Sequence, residues 1–310
     1  MKLTYFQSRD RWRTRAFEWV QYALAWCFQK LTSILPLWRV SGAVAWAGKR
    51  AVLLIPGLRK RAMRNIERVW PDCPEDRQRQ IVRGATSHFL HLAVEYAHLK
   101  KFVRKVQIDV DGIEHLQAAR DAGKGAVLVT AHYGNWEAAR LAALNAGFPT
   151  GIIFRRFNNR YLTRYTLDLI KDCGDPVLTK GRSGMRKLVS HVARGGFVMI
   201  LVDQRNSGAP FLDFLGHPAE TVTAAADLAH RTGAALIPVR GIRDVGKRRF
   251  DVRFEAPITG DDPTAMMQKV NDRISDWITE YPEQWLWFHR RWRSTLRSRQ
   301  QPDPDAVESA

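Results

Sequence analysis

His132 and Glu137 are the two residues whose types and spacing most directly offer chemistry. They stand five apart in "TAHYGNWEAARLAAL", Thr130 to Leu144. An imidazole takes up a proton near neutral pH, and a carboxylate beside it fixes the tautomer and stabilises the charged form. Such a pair suits the removal of a proton from a hydroxyl. In an unbroken helix, residues five apart point about 140° away from each other, so the pairing needs a bend. The aliphatic run "GAVLVTA" predicts a buried strand, Gly134-Asn135 a turn, and "EAARLAALNAG" a helix. His132 then sits at the carboxyl end of a strand and Glu137 in the first helical turn, the place where open α/β sheets bind ligands. The spacing is equally that of a buried histidine followed by a helix-cap glutamate.

The elements around this motif set the fold class. From about residue 106, "VQIDVDG", "GAVLVTA", "TGIIFR", "GFVMILVD", "ALIPVR" and "RFDVRFE" have the pattern of strands. "IEHLQAARDAG", "RYLTRYTLDLIKDCG", "GMRKLVSHVARGG" and "TAAADLAHRTG" have that of helices. This alternation predicts an α/β protein with a mixed, mostly parallel sheet flanked by helices. The first hundred residues are expected to be mostly helical. Residues 1–57 form a basic and apolar membrane-associating segment, 58–295 the α/β domain, and 296–310 a disordered tail without apolar periodicity.

The chain of 310 residues has a net charge of +18 and 11 tryptophans. Up to Trp70 there are 14 Lys and Arg against three acids, together with Trp12, Trp19, Trp26, Trp38, Trp46 and Trp70. A basic excess of this size suits an acidic partner. Within Ala16–Trp38, apolar residues recur at helical spacing behind Arg9, Arg11, Arg13 and Arg15, but Glu18, Gln21, Gln29 and Lys30 interrupt the run. That pattern fits an interfacial amphipathic helix or shallow hairpin on an anionic bilayer better than a spanning helix. A basic nucleic-acid-binding protein is the rival that charge alone permits, but no helix-turn-helix, OB or RNP pattern is present.

Other chemistries find little support. Cys27, Cys73 and Cys173 have neither disulfide-framework nor zinc spacing, and Cys173 is expected to be a packing thiol. His88, His91 and Glu95 share one helical face, but that helix is expected to pack them rather than bind metal. There is no P-loop, no GxGxxG and no GxSxG elbow. No metal or cofactor is expected. "FHRRWRSTLRSR" gathers five arginines, of which Arg290 and Arg291 are candidates for holding phosphate.

"HYGNWE" matches the H-x₄-E/D motif of the glycerolipid and lysophospholipid acyltransferases. The chain more specifically resembles the lipid A biosynthesis acyltransferases, the late lauroyl and myristoyl transferases. "RNIERVWPD", "FRRFNN", "LVDQRNSG" and "PEQWLWFHRRWR" carry that resemblance in order. It implies an O-acyltransferase at the cytoplasmic face of a bacterial inner membrane. The donor would be an acyl thioester on acyl carrier protein, and the acceptor a hydroxyl of a lipid A precursor, a phosphorylated glycolipid. Acyl-CoA as donor, or a lysophospholipid, aminolipid or glycosylated phosphoinositide as acceptor, would use the same chemistry. The resemblance further implies His132 as general base, Glu137 as its partner, and Arg155 and Asp203 in the site. Arg156 stands where the family often has proline. The family's later arginine has Lys171 or Arg164 as its counterpart here.

Overall fold

Hydrophobic strands buried on both faces dictate the architecture. The computed structural model describes the backbone of residues 3–154 and 156–292, with side chains from residue 14 onward. In chain order the elements are α1 (Leu3–Thr32), α2 (Leu37–Ala51), α3 (Pro56–Val69), α4 (Glu75–Ala97), α5 (Leu99–Lys105), β1 (Gln107–Asp111), α6 (Glu114–Asp121), β2 (Ala126–Thr130), α7 (Trp136–Asn145), β3 (Thr150–Phe154), α8 (Arg160–Ile170), β4 (Val177–Thr179), α9 (Arg182–Ala193), β5 (Phe197–Leu201), β6 (Phe211–Phe214), β7 (His217–Glu220), α10 (Ala224–Thr232), β8 (Ala235–Asp244), β9 (Arg249–Phe254) and α11 (Pro263–Glu280). Short 3₁₀ turns lie at Val52–Leu54, Lys171–Cys173 and Pro282–Gln284.

The main sheet has seven strands in the order β1-β9-β8-β2-β5-β3-β4. Every neighbouring pair is parallel except β8 with β9. This is the mixed, mostly parallel sheet expected from the alternation of elements. The centre is β2, whose five residues are all buried. Its side chains alternate between two cores. Val127 and Val129 face one containing α10, α11 and the C-terminal tryptophans, whereas Ala126 and Leu128 face one containing α5, α6 and α7. Apolar burial on both faces makes a continuous aliphatic run the stable choice for such a strand.

Sheet register and connections create the site. β2 runs on into α7 on one face, while β5 leads through the β6–β7 hairpin to α10 on the other. Adjacent parallel strands whose chains leave to opposite faces open a crevice at their carboxyl ends. Thr130 pairs with Leu201 at the end of the β2–β5 ladder, so His132 and Asp203, each two residues further on, emerge side by side.

The N-terminal segment divides at Pro36, which precedes α2. The helix α1 lies against α8, with Asn159 Nδ2 donating to Glu18 O at 2.7 Å and Tyr22 stacked on Tyr161. No helix among the described residues is long and apolar enough to cross a membrane. The tail from Arg293 lies outside the described residues, as does the expectation of disorder there.

Glu95 of α4 and Arg243 of β8 form a buried ion pair across the layers, with both guanidinium ends on the carboxylate. Removing one partner leaves the other charge buried and alone. Glu95→Ala should therefore lower unfolding free energy by about 3–5 kcal/mol in chemical denaturation, with part of the loss recovered in Glu95→Leu/Arg243→Met.

Candidate active site

His132 is placed by its backbone before its side chain does anything. The turn after β2 needs glycine at Gly134, where φ is +56° and a Cβ would come within 2.0 Å of Gly241 O. Gly241 is equally constrained, since a Cβ there would lie 2.6 Å from Asn135 O. This close approach lets Asn135 N donate to Gly241 O at 2.7 Å. Gly134 N and Leu286 N then tie the turn to the C-terminal segment, through Gln284 O at 3.0 Å and His132 O at 3.1 Å. Asn135 caps α7, its side-chain oxygen accepting from Glu137 N and Ala138 N, while its Nδ2 donates to Glu95 at 2.9 Å.

The imidazole turns toward β5. His132 Nδ1 meets Asp203 Oδ1 at 2.8 Å. Asp203 Oδ2 accepts from His132 N at 3.0 Å and from Trp285 Nε1 at 2.9 Å. Burial alone would raise the Asp203 pKa, but the His132 charge and these donors outweigh it and hold the carboxyl at about 2. Burial likewise works against a charged His132, and Asp203 overcomes it, leaving the histidine above its ordinary value. With Asp203 a carboxylate, Nδ1 carries the proton, so the Nε2 lone pair faces outward. Gln204 Nε2 lies 3.2 Å from it. The His132 side chain is 22% exposed and Asp203 only 3%. The imidazole is thus oriented and backed by charge, with Nε2 beside the exposed Gln204.

Glu137 is not the partner that the motif's spacing suggested. Its carboxylate accepts from Tyr96 Oη at 2.7 Å and from Arg140 Nη1 at 2.5 Å, sealed beneath α7. Arg140, fully buried, also donates to Thr150 O, Ile170 O and Gly174 O. The helix starts one residue before Glu137, which carries this side chain toward α4 while the strand register carries His132 toward β5. Arg291 is corrected as well. Its guanidinium is fully buried, donates to Glu220 O and Thr221 Oγ1 at 2.6 Å each, and lies over Phe214, so it braces the core rather than facing a ligand. Arg290 is half-buried beside it, Arg164 is exposed on α8, and Arg155 lies outside the described residues. Cys173 is buried, and burial pushes its thiol up. Glu95 is occupied by Arg243 and Asn135, as the packing role expected of it requires.

Three contributors were not anticipated from the sequence: Trp285, which anchors Asp203; Trp136, whose indole meets the His132 ring edge-on at 5.5 Å; and Tyr96, which accepts from Trp136 Nε1 at 2.6 Å. Tyr96 also lines an apolar cavity of about 240 Å³ with Ala97, Phe157, Leu162, Tyr165 and Leu169.

Fold and site together set an imidazole backed by a carboxylate at a switch point of an α/β sheet, an arrangement whose chemistry suits proton removal from a hydroxyl. Residues 9–294 match the model of the bacterial lipid A biosynthesis acyltransferases. The chain belongs to that family and is an acyltransferase. Among its relatives, the phosphatidylinositol mannoside acyltransferase of Mycobacterium tuberculosis (strain ATCC 25618 / H37Rv) is 29% identical over 213 residues, 64% of this chain and 67% of that protein. The corresponding protein of Mycolicibacterium smegmatis is 28% identical over 246 residues, 75% of this chain and 79% of its own. The lipid A biosynthesis palmitoleoyltransferase of Escherichia coli (strain K12) is 27% identical over 259 residues, 77% and 81% of the two chains.

An imidazole acts as a base only when neutral, so activity that depends on His132 should fall as pH drops through its raised pKa. Asp203→Asn removes the charge that raises it and leaves burial, which lowers it. Steady-state kinetics across pH should show kcat reduced about 10²–10⁴-fold, with the acid limb of kcat/KM displaced to lower pH.

Proposed function

We propose that this acyltransferase moves a fatty acyl group from a thioester, carried by acyl carrier protein, to a hydroxyl of a phosphorylated glycolipid, a lipid A precursor. The His132–Asp203 contact, with Nε2 outward at the strand ends, is the observation that carries the reading. The acceptor hydroxyl gives its proton to His132 Nε2 as its oxygen attacks the thioester carbonyl. The C–S bond then breaks, the ester C–O bond remains, and the imidazolium returns the proton to the departing thiolate. Asp203 stabilises the imidazolium in between. No acyl-enzyme is needed, and the apolar cavity by Tyr96 offers space for the hydrocarbon chain.

The reading sets this work at the cytoplasmic face of an inner membrane, and the exposed surface supports contact with a bilayer. Phe17, Trp19, Leu24, Leu31 and Ile34 are exposed along α1 and its end, with Trp46, Leu54 and Ile55 exposed nearby in the chain. Lys30 and Arg50 lie over Trp26 and Trp46. Apolar and aromatic groups mixed with cations suit the interface of an anionic bilayer. The basic chain also suits an acidic carrier protein and a phosphorylated acceptor, with Arg155, Arg164 and Arg290 as candidate contacts. A mannosylated phosphoinositide acceptor is the second reading, favoured by the similarity to the two mycobacterial proteins.

Purified protein supplied with acyl carrier protein or acyl-CoA thioesters should acylate the lipid A precursor in preference to a mannosylated phosphoinositide, as read by product mass. His132→Ala should abolish transfer in a variant that still unfolds cooperatively, with a melting temperature lowered by the loss of the Asp203 partner. Acylation of neither lipid, or undiminished turnover in His132→Ala, would reject the assignment. In a separate measurement, Leu24→Glu/Leu31→Glu should reduce sedimentation with anionic vesicles by tenfold or more, since about 1.5–3 kcal/mol is lost per apolar side chain no longer buried. Unchanged sedimentation would exclude α1 as the membrane contact.

A further inference from the structure

Tyr96 is where the apolar cavity meets the wall of the base. Tyr96 lines the cavity. Its hydroxyl has one hydrogen to give and gives it to Glu137 Oε1 at 2.7 Å, while a lone pair accepts from Trp136 Nε1 at 2.6 Å. Burial, followed by the Glu137 charge, pushes the phenol well up, so it keeps the proton that makes this direction possible. Trp136 then lays its indole edge-on to His132. The far end of this path is anchored: Arg140 holds the second oxygen of Glu137 and itself donates to three backbone carbonyls. A path of hydrogen bonds and one ring contact thus runs from Arg140 to the catalytic imidazole and touches the cavity on the way.

We infer that Glu137 serves acyl transfer as a positioning residue acting through Tyr96 and Trp136, and that Tyr96 couples the seating of the acyl chain to the placement of His132. This rests on the acyl-transfer reading above. Cutting the Tyr96–Trp136 bond frees the indole to tilt, and the imidazole and thioester lose their mutual alignment. A displacement of about 1 Å in a reacting geometry can cost ~10²-fold.

The test compares Tyr96→Phe, Trp136→Phe, their double variant and Glu137→Gln in the full chain, with acyl thioesters of graded length. Tyr96→Phe keeps the ring and cuts both bonds; Trp136→Phe cuts one. Each should lower kcat about 10- to 100-fold with little change in KM for the acceptor, and Tyr96→Phe should broaden the chain-length preference. Because the two variants break the same bond, the double should be about as slow as the worse single. The acid limb of kcat/KM should stay where the wild type has it, including in Glu137→Gln. Multiplicative losses in the double variant, an unchanged chain-length profile, or an acid limb displaced in Glu137→Gln would overturn the inference. If Glu137→Gln does not fold, the Tyr96–Trp136 cycle decides alone. A wild-type chain that transfers no acyl group from any thioester defeats the acyl-transfer reading itself, whereas an active wild type with unaltered variants defeats only the relay.

Discussion

A buried carboxylate kept charged beside a histidine is the constraint around which this molecule is organised. Burial makes an anion at Asp203 unfavourable. It persists because the imidazole, a backbone N–H and the Trp285 indole all donate to it. Each donor has its own structural requirement. The imidazole and backbone N–H require the β2–β5 register that brings His132 beside Asp203. The indole requires the C-terminal segment to return under the sheet, which it does by hydrogen bonding to the turn around Gly134. That turn in turn requires glycine at Gly134 and Gly241.

Two carboxylates near one histidine thus have different tasks, set by their surroundings. Asp203 acts on the imidazole directly and raises its affinity for a proton. Glu137, five residues along the chain, meets a phenol, a guanidinium and the Cys173 thiol rather than the imidazole. Its buried salt bridge with Arg140 fixes the start of α7 against α4 and the ends of β3 and α8, and through Tyr96 it reaches the aromatic wall of the site. The C-terminal Trp/Arg cluster is likewise mainly architectural: Trp285 and Trp287 meet edge-on at 4.7 Å, and the buried Arg291 lies over Phe214, whose ring in turn meets Trp285.

The strands and helices flanking His132 were legible because their apolar periodicity is strong. β2, β3, β5, β8 and β9 fall where the aliphatic runs stand, and α8 to α10 where the amphipathic patterns are. The β6–β7 hairpin was not foreseen. Its turn, Leu215-Gly216, has positive φ at both positions, 54° and 77°, and a leucine there gives none of the usual asparagine or aspartate signal. The short β4 and the helix α11 also went unread. At the site, His132 and Asp203 were both named, but not as a pair. Their contact depends on which strand lies beside β2, and strand order is a tertiary fact that no local spacing encodes. Five-residue proximity favoured Glu137, and Arg291 looked like a phosphate ligand because composition does not distinguish an enclosed guanidinium from an exposed one.

Asp203 fixes the tautomer and basicity of His132. Nitrogen-detected NMR of protein labelled with ¹⁵N-histidine, assigned by comparison with His132→Gln, measures both quantities directly. His132 should show a neutral-state resonance pair with the proton on Nδ1, and a titration midpoint above the ordinary histidine value of about 6.5. A proton on Nε2, or a midpoint below that value, would contradict it.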